Sequence, residues 1–326
     1  MAGVQDMRET GGPDTAGGAG VATDPASAST PGRPNGTNRA TLLGMSAVVV
    51  WALMAGLLRL VSMGFGSTLG APIVYTLAAA VLLIARPPRL SEIPRRYLIV
   101  GGALFVSYES VFALAISMTT TSMQAVEVSL VNYLWPTLTV LCCAAATHRR
   151  GAVTRALPGA VVATVGVFVA VGGNAGFDPV SLATHLGQNP LPYLLALIGA
   201  VIWALYSTVT PSMSNGADAT SLFFPGVAVT LWIVFFVSGP YLPAEMPSVT
   251  SIVAVAVTAV CVASGYTLWG HGLIRGDVRK MAAFSYAAPV LSTAASSVLL
   301  SLSLSPVFWV GTALVFLGSV LNWRMR

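Results

Sequence analysis

Apolar residues fill this chain in long unbroken runs rather than alternating or recurring on one face. From about residue 41 onward, blocks of roughly 20 apolar residues are divided by short clusters of Arg, Pro, Gly, Asp and Ser. About 20 such residues are needed for a helix to cross the hydrocarbon core of a bilayer. The pattern predicts ten spans, at roughly 42–62, 67–85, 97–117, 122–145, 155–173, 191–211, 220–238, 249–274, 278–302 and 306–323. Connections are short, and nothing between spans is long enough to fold alone. Residues 1–40 break the pattern: they are rich in Gly, Ala, Ser, Thr and Pro and almost without large apolar side chains. Such a segment buries too little surface to offset chain entropy, so a disordered tail is expected. It also lacks the basic start and apolar core of a signal peptide.

The apolar runs repeat. A shift of 152 lays VVWAL (49–53) on VIWAL (201–205), and a shift of 153 lays NYLWPTLT (132–139) on SYAAPVLS (285–292). Trp51 then falls on Trp203, Tyr133 on Tyr286 and Pro136 on Pro289. Nearly equal offsets at two distant places predict duplicated halves, 41–173 and 190–324. A five-span unit must enter the membrane from opposite sides, so the halves are expected to be inverted. Inverted repeats are a transporter signature, with the ligand site near the midplane.

Charge adds orientation. Arg33 and Arg39; Arg86, Arg89, Arg95 and Arg96; His148, Arg149, Arg150 and Arg155; Arg275, Arg279 and Lys280; and Arg324 and Arg326 all fall on one side of ten crossings. The opposite connections carry Asp178 and Glu245 but no Lys or Arg, with Arg59 near the end of the first span as the exception. The positive-inside rule then places both termini in the cytoplasm, where the Asn35-Gly-Thr sequon is a chance match. Composition agrees: 55% hydrophobic, 8% charged and a mean hydropathy of +0.79, against roughly a quarter charged in soluble domains. The net charge of +5 reflects topology and calls for no nucleic acid.

Polar and kinking residues inside the runs are the candidate chemistry. Pro136 and Pro289 lack an N–H and should kink or break their spans, freeing carbonyls beside Asn132 and its counterpart. A carboxylate in hydrocarbon costs about 3 kcal/mol unless it meets a cavity or partner. Glu109, near the middle of the third span, should face the bundle interior. Glu127, about two turns into the fourth from the outer side, is placed where water could reach it. Trp51, Tyr75, Tyr108, Tyr133, Trp203 and Tyr266 lie near span centres, where interfacial anchoring does not account for them. They suit a cavity for a flat apolar ligand with a polar handle. Tyr97, Tyr193, Tyr241, Trp309 and Trp323 lie near span ends, as in an interfacial belt. The pairs Gly272/Gly276 and Gly311/Gly318 would permit close helix approach.

These residues carry a resemblance. QAVEVSLVNYLWPTLTVL (124–141), with ASGYTLWGHGLIRGDVRKMAAFSYAAPVLSTAAS (263–296), resembles the EamA-like drug/metabolite transporter superfamily and, more narrowly, the YddG-type aromatic amino acid exporters. The likeness spans about residues 40–324. It implies an all-α inner-membrane exporter with ten helices in two inverted repeats, moving aromatic and other neutral amino acids outward. On matching positions it implies substrate handling by Glu127, Asn132, Tyr133, Trp135 and Pro136, and by His271, Tyr286 and Pro289. The second half has SYAAP where the first has NYLWP, so the halves are not equivalent. Amphipathic cations, drugs or other small metabolites are the alternative cargo on the same fold.

Other classes lack the residues they need. There is no HExxH, no paired aspartates, and no Ser/His or Cys/His pair at helical spacing, so an intramembrane enzyme is not expected. Cys142, Cys143 and Cys261 all lie in apolar segments, predicting no disulfide, no metal and no cofactor. The expected partners are a small-molecule substrate and the lipid bilayer, and no protein partner is evident.

Overall fold

A straight 52-residue helix would run about 78 Å, more than twice the thickness of a hydrocarbon core, yet α1 spans Pro34–Ala85. It turns at Gly66, whose φ of 79° and ψ of 168° interrupt the helical run. That backbone region is open to glycine and strained for any residue with a Cβ. One glycine thus separates the first two expected spans. This computed structural model describes residues 34–324, apart from residues 174, 175, 177, 240, 241, 244, 245 and 300–302. The expected tail up to residue 33, Tyr241 and Glu245 lie outside the described residues, as does the side chain of Trp323.

After α1 come α2 (Gly102–Ser117), α3 (Ser122–Asn132), α4 (Trp135–Ala145), α5 (Ala152–Val167), α6 (Pro179–Gln188) and α7 (Leu191–Met213). They are followed by α8 (Thr220–Val237), α9 (Val249–Arg275), α10 (Val278–Ser285), α11 (Ala287–Leu299) and α12 (Pro306–Arg324). Wide π-turns at Tyr97–Gly101 and Phe168–Gly172 extend α2 and α5 to spanning length. The described residues contain eight helical segments long and apolar enough to cross a membrane, with shorter apolar helices at Gly56–Gly66 and Pro306–Asn322. Leu53, Ile84, Val229, Phe236, Trp309 and Phe316 point outward and are at least half exposed. These outward apolar faces are what lipid requires.

Three expectations are corrected. The first helix starts at Pro34, about eight residues before the expected span, with proline suiting the first turn of a helix. A ten-residue helix, α6, occupies the connection after residue 173 in which no element was expected. Tyr97 and Tyr193 are buried, at 0% and 5% exposure, rather than interfacial. Tyr97 packs edge-on against Phe223 at 5.6 Å, and Tyr193 binds Glu127. Nearness to a span end says nothing about which face of the helix a ring occupies.

Glycine sets the tightest helix crossings. A Cβ at Gly311 of α12 would lie 2.2 Å from the Ala170 nitrogen, and one at Gly318 would lie 2.3 Å from the Ala163 nitrogen. A Cβ at Gly272 of α9 would meet the Gly44 Cα of α1 at 2.7 Å. The expected small-residue contacts are therefore made within this one chain, backbone to backbone. Polar side chains pin other pairs: Ser110 to Thr230 at 2.7 Å joins α2 and α8, and Trp232 Nε1 donates to Thr76 Oγ1 at 3.0 Å.

Candidate substrate site

The two expected helix breaks are present at equivalent places. α3 ends at Asn132, Tyr133 and Leu134 form a turn, and α4 restarts at Trp135 with Pro136 in its first turn. α10 ends at Ser285, Tyr286 is the turn, and α11 restarts at Ala287 with Pro289 as its third residue. Each proline lacks the N–H that would bond the carbonyl four residues earlier, at Asn132 or Ser285. Tyr133 and Tyr286, the break residues, both pack into one cluster with Leu130, Val140 and Phe308. Tyr286 donates to Thr137 Oγ1 at 3.0 Å, which ties the second break to the half-helix that follows the first.

Beside these breaks lies a closed aromatic cage. Trp203 of α7 is 4.6 Å from Tyr108, 6.2 Å from Trp51, 6.3 Å from Trp135 and 5.8 Å from Tyr266, centroid to centroid. Tyr75 stacks on Phe224 at 5.8 Å, and Trp269 lies 5.3 Å from Trp51. The repeat-matched Trp51 and Trp203 thus meet. In this conformation the rings fill the space themselves: Tyr75, Tyr108, Trp135, Trp203 and Tyr266 are each at most 8% exposed. The open cavity expected from the sequence is replaced by ring-on-ring contact. Each such pair adds about 0.5–1.5 kcal/mol beyond area burial, so a ligand must replace several pairs with its own contacts.

Glu109 sits inside the cage, 7% exposed. Tyr75 donates to its Oε2 at 2.7 Å, and Tyr266 donates to its Oε1. Among the described residues no Lys, Arg or His forms an ion pair with it. A carboxylate has about four acceptor sites, so two neutral donors leave it room for a cation. Nearby, Asn132 Nδ2 donates to the Tyr108 hydroxyl at 3.4 Å, while its buried Oδ1 has no partner, and neither do the indole nitrogens of Trp51 and Trp269. The cage region thus holds two unpartnered N–H donors and one unpartnered amide oxygen, the Trp51 N–H edge lying against Gly265 of α9.

Several of the expected residues lie elsewhere or differ in setting. His271 is at the far end of α9, where Arg275 Nη1 donates to its Nδ1 at 3.1 Å. Glu127 is not reached by water: its side chain is 0% exposed, enclosed by Tyr193 and His185. Tyr133 and Tyr286 belong to the breaks rather than the cage. Conversely, Phe105, Tyr206, Phe223, Phe224 and Trp269 are cage members that sequence reasoning passed over. Neither Trp269, in the last two turns of α9, nor the phenylalanines carry a signal that separates them from packing residues.

Residues 190–324 match the EamA-like transporter family. An aromatic amino acid exporter, YddG, of Salmonella typhimurium is 40% identical over 290 residues, covering 88% of this chain and 97% of that protein. The chain belongs to the EamA-like transporter family. The exporter of the same name from Escherichia coli K12 is 39% identical, over 87% of this chain and 97% of that protein. A solved crystal structure, 26% identical, superposes with a TM-score of 0.70 over 88% of this chain and 97% of that one. Membership and the apolar helices together make this a multi-pass membrane protein.

Proposed function

We propose that this chain is a secondary transporter that exports aromatic and other neutral amino acids across the inner membrane by alternating access. Its architecture on this reading is ten crossings in two inverted five-helix repeats, 41–173 and 190–324, with both termini cytoplasmic. The matched breaks at Tyr133–Leu134 and Tyr286 support the repeat, as does the meeting of Trp51 and Trp203. The similarity to the two YddG exporters supports the cargo.

The single observation that carries the reading is Glu109, a buried carboxyl in an aromatic cage with no cationic partner among the described residues. Buried charges need a partner, and the α-ammonium of an amino acid supplies one that arrives and leaves. The substrate ring takes the place of the rings it parts, and the Trp51 and Trp269 N–H groups can donate to its carboxylate. Asn132, freed at the end of α3, adds an amide at the same level.

The test is uptake of radiolabelled phenylalanine into proteoliposomes, with unlabelled tryptophan, methionine and threonine as competitors. Saturable uptake supports the reading; no flux for any of the four overturns it. A second reading, amphipathic cations, is favoured by the same carboxyl, which has no cationic partner among the described residues, because aromatic cages also hold cations. Phenethylamine, which has the ammonium and ring but no carboxylate, separates the two. We expect it to compete at least tenfold more weakly than phenylalanine; equal competition would favour the cation reading.

The breaks should matter to turnover. Pro136→Ala restores a donor for the Asn132 carbonyl and lets α3 run into α4. We expect phenylalanine flux to fall about tenfold, roughly 1.4 kcal/mol, with folded yield unchanged. Pro289→Ala should act in the same direction. Wild-type flux in both variants would reduce the breaks to bundle shaping.

A further inference from the structure

Among the described residues, the Glu127 carboxyl is the one buried acid that the substrate reading leaves unused. It lies on α3 five residues before Asn132, and its side chain is fully covered. His185 Nδ1 stands 3.0 and 3.1 Å from its two oxygens, and Tyr193 donates to Oε2. Tyr193 belongs to α7, whereas His185 comes from α6, the short helix lying outside the expected spans. Unlike the cage acid, Glu127 meets a group that can itself carry positive charge, and the element carrying that group is separate from the spanning helices.

The surroundings form a seam. α3 meets the residues leading into α7 at Gln124 and Asn189, where Gln124 Nε2 donates to the Asn189 carbonyl at 3.5 Å. α3 and α7 themselves meet at Glu127 and Tyr193, and again where Asn132 faces Gly199. The sequence offsets are 65, 66 and 67, so the two helices run side by side in the same direction down to the cage. The seam is closed by α6. Leu182 packs against the cluster of Ala115, Val128, Tyr193 and Ala196, as does Val131. Asn189, just after the helix, donates to the Met118 carbonyl at 3.1 Å and lies 3.4 Å from Gln124 Oε1. The polar groups facing Glu127 are therefore Gln124 on its own helix, His185 on α6, Tyr193 on α7 and Asn189 between the last two. Between Glu127 and Asn132 the seam is lined by Val128, Val131 and Ala196, and Asn132 and Tyr108 stand at its inner end.

We propose that α6 is the outer closure of the transporter, latched by His185 onto Glu127 and Tyr193, and that substrate leaves along the α3–α7 seam when this latch parts. The inference rests on the alternating-access reading and on the orientation that places α6 outside. His185 is a positioning residue: it touches Glu127 rather than substrate, and it acts by holding a helix.

The test uses a reporter cysteine at Val131, in the seam one residue from Asn132, with Cys142, Cys143 and Cys261 replaced by serine. A membrane-impermeant maleimide is applied to right-side-out vesicles or, separately, to inverted ones, and the labelling rate is read. Relative to the parent, His185→Ala and Glu127→Gln should each raise external labelling about tenfold or more. His185→Asn should restore the parental rate, because its amide N–H occupies the place of Nδ1–H. A merely structural role would lower folded yield without that rescue, so yield is measured alongside. Unchanged labelling in folded His185→Ala overturns the latch. Labelling that rises only with reagent applied from the opposite side overturns the orientation on which the inference rests. Phenylalanine flux is measured on the same preparations. Its absence in the parent overturns the amino acid reading, while the labelling still decides the latch.

Discussion

Glu109→Gln should lower kcat/KM for phenylalanine uptake about 100-fold, with the protein still folded and inserted. The substitution keeps the shape of the side chain and removes its charge. What is lost is a charge-assisted hydrogen bond to the substrate ammonium, together with acceptor capacity for one of the two tyrosines. Hydrogen bonds to charged groups are worth about 1.5–3 kcal/mol, and two decades correspond to about 2.7 kcal/mol. Tyr75→Phe and Tyr266→Phe leave the charge in place and remove one neutral donor each, so each should cost about tenfold. The measurement is initial-rate uptake in proteoliposomes at matched protein density. If Glu109→Gln transports like the parent, the carboxyl is a helix-packing group and the cage is not the ammonium site.

Among the described glycines at helix crossings, Gly311→Ala should cost the most stability. The new Cβ would lie 2.2 Å from the Ala170 nitrogen and 2.5 Å from its Cα, both backbone atoms that no rotamer change can move aside. Overpacking costs about 1–3 kcal/mol, occasionally more. By the scaling seen in soluble domains, a chain of this length would have its unfolding midpoint lowered by roughly 2–5 °C. Gly187→Ala is the control. Nothing lies within 4 Å of its added methyl, and replacing a helical glycine by alanine gains about 0.5–1 kcal/mol. The two substitutions make the same chemical change and should shift the midpoint in opposite directions. Thermal unfolding in detergent, read by tryptophan fluorescence, checks both. Equal shifts would mean that α12 and α5 do not meet through Gly311 as described.

Much of the architecture was legible because a bilayer imposes simple demands. Backbone groups in hydrocarbon must bond within their own helix, so apolar run length alone marks the helices. Apart from the early start of α1 and the added α6, the described helices lie where apolar runs were expected, and eight segments among them are long and apolar enough to cross a membrane. The two breaks were legible for a local reason, since a proline ring excludes one backbone bond whatever surrounds it. Glu109 was legible because a carboxyl at mid-span has few permissible environments. The repeat offsets brought Trp51 and Trp203 forward as a pair, and the structure puts their rings 6.2 Å apart.

What the sequence could not determine is which groups meet. Glu109 and Glu127 look alike in a hydropathy trace, yet one is held by two tyrosines from α1 and α9 and the other by a histidine and a tyrosine from α6 and α7. The partners lie 34, 157, 58 and 66 residues away, and nothing local encodes such pairings. His271 was expected near the site, but it lies beyond Trp269 toward the end of α9, where it meets Arg275 instead of the rings. The chain by itself determined an apolar pattern of spans, two broken helices and a short list of costly polar residues, since each follows from local backbone chemistry in oil. Only the tertiary structure decided that Glu109 is enclosed by rings with no cationic partner among the described residues and that Glu127 is covered by a helix from a connection. Those outcomes depend on helix rotation and packing, which an almost uniformly apolar sequence leaves open.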